Sequence, residues 1–308
     1  MKHKILVATE KPFSPDAIAG IRDICTEAGY ELALLESYTD KADLEAAVKD
    51  VEALIVRSDK VTPAVIAAAD QLKIVVRAGA GYDNIDLDAA TSANVVVMNT
   101  PGQNANAVAE LALGMMVYLA RNGFNGKSGT ELRGKTLGIH AFGNVGRDVA
   151  RIARGFGMDV FAFDPFVTDD AIRAEGVTPL ASVEELYSHC QYVSLHIPAN
   201  DQTRESINYD LLSRMPSGAV LVNTARKEVI CEESLVKVFR ERSDFQYIAD
   251  VAPDCKDQVA AEFPGRFFFT PKKMGAQTSE ANVNAGLAAV RQIIAFFEKG
   301  DRTFQVNR

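Results

Sequence analysis

The sequence predicts two doubly wound α/β domains, each a parallel sheet covered by helices, with a cleft between them. Short β-branched runs alternate with amphipathic stretches along the whole chain, which is the pattern of strand–helix–strand units. At 308 residues the chain is longer than the commonest single domain, so two units are expected. We place the first domain at residues 1–100 with 286–308 and the second at residues 101–285.

Eleven apolar runs predict the strands in chain order. The first domain begins with ILVAT and continues through ELALLE, ALIVR, KIVVR and VVVMN. The stretch Asn104–Arg121 has apolar residues at helical spacing and predicts a helix that bridges the domains. The strand pattern resumes with TLGIHA, VFAFD, YVSLHI, AVLVNT, FQYIADV and RFFFT. A second long helix, predicted over Ser279–Lys299, would return the chain to the first domain and make that domain discontinuous.

Composition disfavours several classes of protein. Hydrophobic residues make up 47% and charged residues 24%, as in ordinary soluble globular proteins, and a net charge of −8 argues against a nucleic-acid partner. The longest apolar stretch, Leu111–Ala120, is shorter than the ~18 residues that a membrane span needs. The start MKHKILVATEK lacks the apolar length of a signal peptide. We therefore expect a cytoplasmic protein without membrane contact and, since the four cysteines lack ligand spacing, without a metal site.

A dinucleotide fingerprint occurs at the start of the second domain. After the strand pattern TLGIH, Ala141, Gly143 and Gly146 stand at fingerprint spacing and are followed by an amphipathic helix. Glycines here let the backbone approach a pyrophosphate, which then lies at the positive end of the helix. Ala141 departs from the usual first glycine, so a methyl group must fit into the tight turn.

An acidic residue ends the next strand at the expected distance. Asp164 follows Gly146 by 18 residues, where a carboxylate can accept both ribose hydroxyls of the adenosine. The same carboxylate would repel a 2′-phosphate. The second domain is therefore predicted to be a Rossmann domain that binds NAD rather than NADP.

Three charged residues follow later strands, at the edge where doubly wound sheets bind ligands. Arg226 follows AVLVNT, Asp250 closes FQYIAD, and Lys273 comes three residues after RFFFT. A planar guanidinium can hold a carboxylate and touch the reacting oxygen together. An acid–base group then exchanges the hydroxyl proton as hydride leaves C2 for the nicotinamide. The sequence thus predicts a dehydrogenase of small 2-hydroxy acids.

Four segments together resemble a known family. RAGAGYDNIDL, NTPGQNANAVAEL, the fingerprint and LVNTARKEVI are similar, in this order, to segments of the D-isomer-specific 2-hydroxyacid dehydrogenases. The similarity is greatest to short phosphoglycerate dehydrogenases that lack a regulatory domain. It implies a flavodoxin-like substrate domain, a homodimer, and Arg226 as the substrate-binding and catalytic arginine. It also implies that the substrate carboxylate binds the backbone amides of Ala78, Gly79 and Ala80.

The cofactor-binding residues that we assign from the fingerprint and the resemblance all lie in the second predicted domain, with Asn104 close to its junction with the first. They are Asn104, Gly143, Asn144, Val145, Gly146, Asp164, Pro198, Thr224, Ala225 and Asp250.

The chain departs from the family at the acid–base group. Where members have a histidine before a Gly-Ala pair, the segment TPKKMGAQT places Lys273, and the family glutamate is replaced by Cys255 beside Asp254. A lysine must be neutral to accept a proton, and its ordinary pKa is about 10.4, which a neighbouring carboxylate would raise further. We therefore hypothesise that Lys273 replaces the histidine and that Asp254 does not pair tightly with it. Lys272 is the alternative, and either lysine could instead only attract the anionic substrate.

Cationic residues that follow first-domain strands predict a phosphate group on the substrate. Arg57, Lys60 and Arg77 suit a phosphate group, which favours oxidation of 3-phospho-D-glycerate to 3-phosphohydroxypyruvate, the entry step of serine synthesis. Two alternatives stay open: a glycerate/hydroxypyruvate or other D-2-hydroxyacid dehydrogenase, and an NAD-sensing corepressor-like binding protein. The short segment 122–134 also leaves the dimer interface open, because the family usually has a longer one there.

Overall fold

The computed structural model describes residues 3–307, which divide into two compact units. Within the described residues, unit 1 comprises residues 3–104 and 277–307, and unit 2 comprises residues 105–276. The sequence placed these boundaries at 100/101 and 285/286. In the structure the whole final helix belongs to unit 1, because its buried face packs against the strands and first helix of that unit.

Unit 1 is built on a parallel five-stranded sheet in the order β2-β1-β3-β4-β5. The strands are β1 (Lys4–Thr9), β2 (Glu31–Glu36), β3 (Ala53–Val56), β4 (Ile74–Arg77) and β5 (Val96–Asn99). The helices are α1 (Pro15–Ala28), α2 (Lys41–Ala47), α3 (Pro63–Ala67), α4 (Leu87–Ser92) and, at the end of the chain, α12 (Ser279–Lys299).

Apolar side chains on both faces of this sheet explain why its central strands are fully buried. One face packs against α1 and α12, and the other packs against α2, α3 and α4. Local signals fix the helix ends: the Ser14 side chain accepts the Ala17 N–H at the start of α1, and Gly29 ends that helix at a φ of +73°. The tail covers the β5 edge, where the Asn307 side chain accepts the Val97 N–H.

Unit 2 is built on a parallel seven-stranded sheet in the order β12-β11-β10-β9-β6-β7-β8. The strands are β6 (Thr136–His140), β7 (Asp159–Phe163), β8 (Thr178–Pro179), β9 (Tyr192–Leu195), β10 (Val220–Asn223), β11 (Gln246–Ala249) and β12 (Phe267–Phe269). The helices are α5 (Ala105–Ala120), α6 (Asn144–Gly155), α7 (Asp169–Ala174), α8 (Val183–His189), α9 (Tyr209–Arg214), α10 (Glu232–Glu241) and α11 (Lys256–Glu262).

The predicted fold class, two doubly wound α/β domains with parallel sheets, is confirmed. In unit 2 the register aligns His140 with Leu195, Leu195 with Asn223, and Asn223 with Ala249, so four strands end level. The residues after these strands therefore emerge at one edge of the sheet, as the sequence predicted. Within residues 3–307 no helix has the length and apolarity that crossing a membrane requires.

Candidate active site

The fingerprint turn between β6 and α6 has the geometry that a dinucleotide requires. A Cβ on Gly146 would lie 2.4 Å from the Ala141 carbonyl oxygen, so only glycine fits there. Gly143 precedes α6 and places no side chain on the first-turn amides, and a Cβ there would meet nothing within 4 Å. These amides at the positive helix end fit a diphosphate. Ala141 has a φ of +79°, a strained conformation for an L-residue.

Asp164 is held beside this turn by two backbone donors. One carboxylate oxygen accepts the Phe142 N–H at 2.7 Å and the other accepts the Phe166 N–H at 2.8 Å. A cavity of about 540 Å³ opens next to the carboxylate. Its lining includes His140, Ala141, Phe163, Asp164, Phe166 and Pro198. A largely apolar cavity with the Asp164 carboxylate next to the fingerprint turn fits the adenosine end of NAD, and Glu184, Asp210 and Arg214 also line it.

Two partly buried histidines lie beside the turn, and His140 also lines the cavity. Burial lowers the pKa of His140 to about 4 and that of His196 to about 3, so both rings are neutral at pH 7. His196 shares hydrogen bonds with Ser194 Oγ at 3.0 Å and with Thr224 Oγ1 at 3.5 Å. The His196 ring thereby packs against Thr224, one of the predicted cofactor residues.

Arg226 lies in a turn that a buried asparagine fixes. Asn223, only 3% exposed at the end of β10, donates from Nδ2 to the Arg226 carbonyl at 2.9 Å and accepts the Ala225 N–H at 2.9 Å. The half-buried Arg226 side chain donates from Nη1 to the Ala225 carbonyl at 3.1 Å. Asn223 was not predicted from the sequence, although a polar residue that closes an apolar strand was an available signal.

Asp250 uses both carboxylate oxygens inside unit 2. The residue is 1% exposed, and its Oδ1 accepts from Thr270 Oγ1 at 3.0 Å and from the Met274 N–H at 2.9 Å, while Oδ2 accepts the Gly275 N–H at 2.8 Å. The sequence assigned Asp250 to cofactor contact. In the structure its carboxylate anchors the segment that carries Lys273, and its contact with the cofactor stays a prediction.

Lys272 and Lys273 are both exposed, on the loop after β12. Asp254, the acidic residue directly before Cys255, forms an ion pair with Lys227 Nζ at 2.5 Å. The Glu232 carboxylate, which our sequence analysis did not consider, accepts the N–H groups of Asp254 at 2.7 Å and Cys255 at 2.8 Å.

Cys255, at the family's glutamate position, has a thiol that carries no charge at neutral pH. Burial, with the nearby Glu232 carboxylate, raises the pKa of this thiol to about 12. The family's carboxylate is therefore replaced here by a neutral group.

In unit 1, the predicted substrate cations differ in how firmly they are held. The half-buried Arg57 guanidinium donates from Nη1 to the carbonyls of Lys11 at 2.9 Å and Pro12 at 3.1 Å, and from Nη2 to Asn282 Oδ1. Burial lowers the pKa of Arg57 from its ordinary value. Arg77 donates from Nε to the Arg57 carbonyl at 2.9 Å, whereas Lys60 is exposed.

Asp59, which our sequence analysis missed, organises the loop around Arg57. It is 3% exposed, and its Oδ1 accepts the Glu10 N–H at 2.6 Å and the Tyr38 hydroxyl at 3.0 Å. Its Oδ2 accepts the Arg57 N–H at 3.2 Å. Asp59 therefore joins the loops that follow β1, β2 and β3.

Two of the three amides predicted to bind the substrate carboxylate are used within the fold. The Ala78 N–H donates to the Val56 carbonyl at 2.8 Å, and the Gly79 N–H donates to the Arg77 carbonyl at 2.9 Å. Each of these two N–H groups already donates its one hydrogen within unit 1, so their binding to the substrate carboxylate stays a prediction that requires these bonds to open. Among residues 3–307, the Ala80 N–H has no such acceptor.

The remaining predicted cofactor residues lie around the fingerprint and the β10 turn. Asn144 and Val145 begin α6, while Thr224 and Ala225 precede Arg226. Asn104 is half-buried directly before α5 and is the last residue of the first segment of unit 1.

Comparison with known proteins identifies the family. Residues 113–263 match the model of the D-isomer specific 2-hydroxyacid dehydrogenase, NAD binding domain. A hydroxypyruvate reductase of Thermotoga maritima is 36% identical over 285 residues, covering 85% of this chain and 90% of that protein. The chain belongs to the D-isomer specific 2-hydroxyacid dehydrogenase family. It is thus an NAD-dependent dehydrogenase, and the predicted family and cofactor are confirmed.

Other members of the family are similar over nearly the whole chain. The NAD⁺-bound 3-phosphoglycerate dehydrogenase of Entamoeba histolytica superposes with a TM-score of 0.87 at 48% identity, covering 100% of this chain and 99% of that one. The D-3-phosphoglycerate dehydrogenase of Methanocaldococcus jannaschii is 34% identical over 94% of this chain. The chain spans only 56% of the length of that relative.

Proposed function

We propose that this family member oxidises 3-phospho-D-glycerate to 3-phosphohydroxypyruvate, the entry step of serine synthesis. The observation that supports this substrate is the fixed position of Arg57 after β3. Two backbone carbonyls and one side-chain amide hold its guanidinium. Such a preoriented fork binds the oxygens of a phosphate or a carboxylate, and the substrate carboxylate is already assigned to Arg226, which leaves the phosphate for Arg57. The similarity to 3-phosphoglycerate dehydrogenases supports the same substrate.

In the proposed reaction, Arg226 binds the substrate carboxylate and the oxygen on C2. Lys273 accepts the hydroxyl proton as the C2–O bond becomes a carbonyl, and returns a proton in reverse. NAD, when bound, takes the hydride from C2. Asp250 positions the Lys273 loop, and the Ala80 N–H is a further donor to the substrate carboxylate. Arg77 and Lys60 add positive charge for the anion.

The proposed cofactor contacts follow the geometry of unit 2. Asp164 accepts the ribose hydroxyls, and the backbone of the first α6 turn binds the diphosphate. Pro198 lines the cavity beside Asp164. The remaining proposed contacts are Asn104, Gly143, Asn144, Val145, Gly146, Thr224, Ala225 and Asp250.

A second candidate is reduction of hydroxypyruvate, the substrate in the name of the Thermotoga maritima relative. That relative matches the chain over most of both lengths, which favours a substrate without phosphate. The NAD-sensing corepressor alternative keeps the same cofactor domain but needs no turnover.

We also propose a homodimer in the cytoplasm. Phe124 is 65% exposed in the short segment 122–134, and its ring packs edge-on against Tyr118 at 5.5 Å between centroids. The support for a dimer contact here is the family resemblance, because this segment commonly helps to form the dimer in the family, and Phe124 is the exposed aromatic that it presents. Light scattering of the purified protein, compared with Phe124→Ser, tests the dimer.

One assay separates the candidate functions. NADH formation is measured with 3-phosphoglycerate, D-glycerate and D-lactate side by side. The proposal expects the highest kcat/KM with 3-phosphoglycerate. A higher value with D-glycerate contradicts it in favour of the second candidate, and no turnover despite tight NAD binding favours the corepressor.

A further inference from the structure

Arg57 and Asn282 are 225 positions apart in sequence and hydrogen-bonded in unit 1. Arg57 follows β3, and Asn282 lies in the first turn of α12. The Phe13 ring also lies 5.1 Å from the guanidinium carbon. The guanidinium is thus fixed by Asn282 on one nitrogen, by the loop after β1 on another, and by an aromatic ring.

The acceptors around this guanidinium are all uncharged. None of the ion pairs formed within residues 3–307 includes Arg57. Asp59 is the acidic residue nearest to Arg57 in sequence. Its carboxylate accepts hydrogen bonds from the N–H groups of Glu10 and Arg57 and from the Tyr38 hydroxyl. Neutral acceptors orient the guanidinium without cancelling its charge, which a carboxylate partner would do.

The amide of Asn282 is suited to this task because both its ends are used. Its Nδ2 donates to the Thr278 carbonyl at 2.8 Å, which turns Oδ1 toward Arg57. Thr278 is itself fixed, because its hydroxyl accepts the Ala281 N–H at 3.1 Å as the cap of α12. An aspartate could not donate to Thr278, and a leucine could do neither.

We propose that Asn282 is a specificity-determining positioning residue, which aims Arg57 at a phosphomonoester on the substrate and leaves its charge intact. The Arg57 Nε–H and the second Nη2 hydrogen have no acceptor within residues 3–307. Donors on neighbouring guanidinium nitrogens bind two oxygens of a phosphate together. This inference rests on the proposed function, because it requires a phosphorylated substrate.

The test compares two substrates that differ only in the phosphate. NADH oxidation is followed with 3-phosphohydroxypyruvate and with hydroxypyruvate, in the wild type, Asn282→Leu and Asn282→Asp. Asn284→Leu and Asn284→Asp are matched controls, because Asn284 is exposed on the same helix. Both Asn282 variants are expected to raise KM for 3-phosphohydroxypyruvate roughly tenfold, with kcat and the hydroxypyruvate values within about twofold of the wild type. The Asn284 variants stay unchanged.

The other possible results each contradict either the role of Asn282 or the proposed function. Equal losses with both substrates, or no loss, in a variant that thermal unfolding shows to be folded would overturn the role of Asn282. If Asn282→Leu does not fold, Asn282→Asp decides by the same ratio, and global unfolding of both would overturn the inference in favour of a structural role. A wild type without preference for the phosphorylated substrate overturns the proposed function and this inference together, and is recognised before any variant is made.

Discussion

The Asp250 N–H donates to the Asn223 carbonyl at 2.9 Å and so joins the ends of the neighbouring strands β10 and β11. The side chains of these two residues hold the two proposed catalytic loops. Asn223 fixes the Arg226 turn, and Asp250 fixes the backbone after Lys273. The two charged groups are therefore supported by adjacent, buried and hydrogen-bonded positions of one sheet. Such support is what acid–base chemistry at a defined distance needs.

The first prediction concerns the acid–base group. Lys273→Met is expected to lower kcat by about 10²-fold or more, because the substrate hydroxyl then lacks a positioned proton acceptor. Lys272→Met is the matched control and is expected to change kcat less than about twofold. Steady-state NADH formation measures both, and the opposite order would assign the role to Lys272.

The second prediction concerns Asp250. In Asp250→Asn one acceptor oxygen becomes a donor that faces the backbone N–H of Met274 or of Gly275, so the free energy of unfolding should fall by about 1–3 kcal/mol. The Lys273 loop is released at the same time, and kcat should fall more than the KM for NAD changes. Urea unfolding and steady-state kinetics test this, and an unchanged kcat in the folded variant contradicts the positioning role.

The third prediction concerns cofactor choice. Asp164→Ala removes the carboxylate that repels a 2′-phosphate, so the ratio of kcat/KM for NAD over NADP should fall at least about tenfold. Asp159→Ala, an exposed acidic residue at the start of the same strand, is the control. An unchanged ratio in Asp164→Ala would remove Asp164 from the cofactor site.

The fourth prediction concerns the strained turn. Ala141→Gly should raise the free energy of unfolding by up to about 1 kcal/mol, since relief of the left-handed strain exceeds the entropic cost of glycine. Ala150→Gly, inside α6, should instead lower it by about 1 kcal/mol. Destabilisation by both changes would mean that the Ala141 conformation costs little.

The fifth prediction concerns acid stability. The pKa of folded His196 is about 3, against 6.5 for an ordinary histidine, so the unfolded chain binds the extra proton between these values. The free energy of unfolding therefore falls as pH drops, by about 1 kcal/mol per pH unit between pH 6 and 5 for this residue. His196→Gln should flatten the slope by that amount, while the exposed His189→Gln should not. Urea titrations at several pH values measure the slopes.

Sequence patterns predicted the fold and the location of the candidate site, because both depend on local periodicity and on residues that directly follow strands. Arg226, Asp250 and Lys273 were singled out in this way, and their roles stay predictions. The partners that fix them were not singled out, because a pattern does not reveal which donor meets which acceptor. Asn282 is the clearest case, since its contact with Arg57 depends on where α12 returns to the first sheet.

The exposed Lys272–Lys273 pair lies in a loop whose two ends, Thr270 and Met274, are bound to one oxygen of Asp250. A protease such as trypsin needs several residues of extended backbone in its cleft, which this closed loop does not offer. Cleavage after these lysines therefore requires that the hydrogen bonds to Asp250 open first. The rate of nicking at this loop thus reports how often the proposed proton-transfer group leaves its place, in the absence of any substrate.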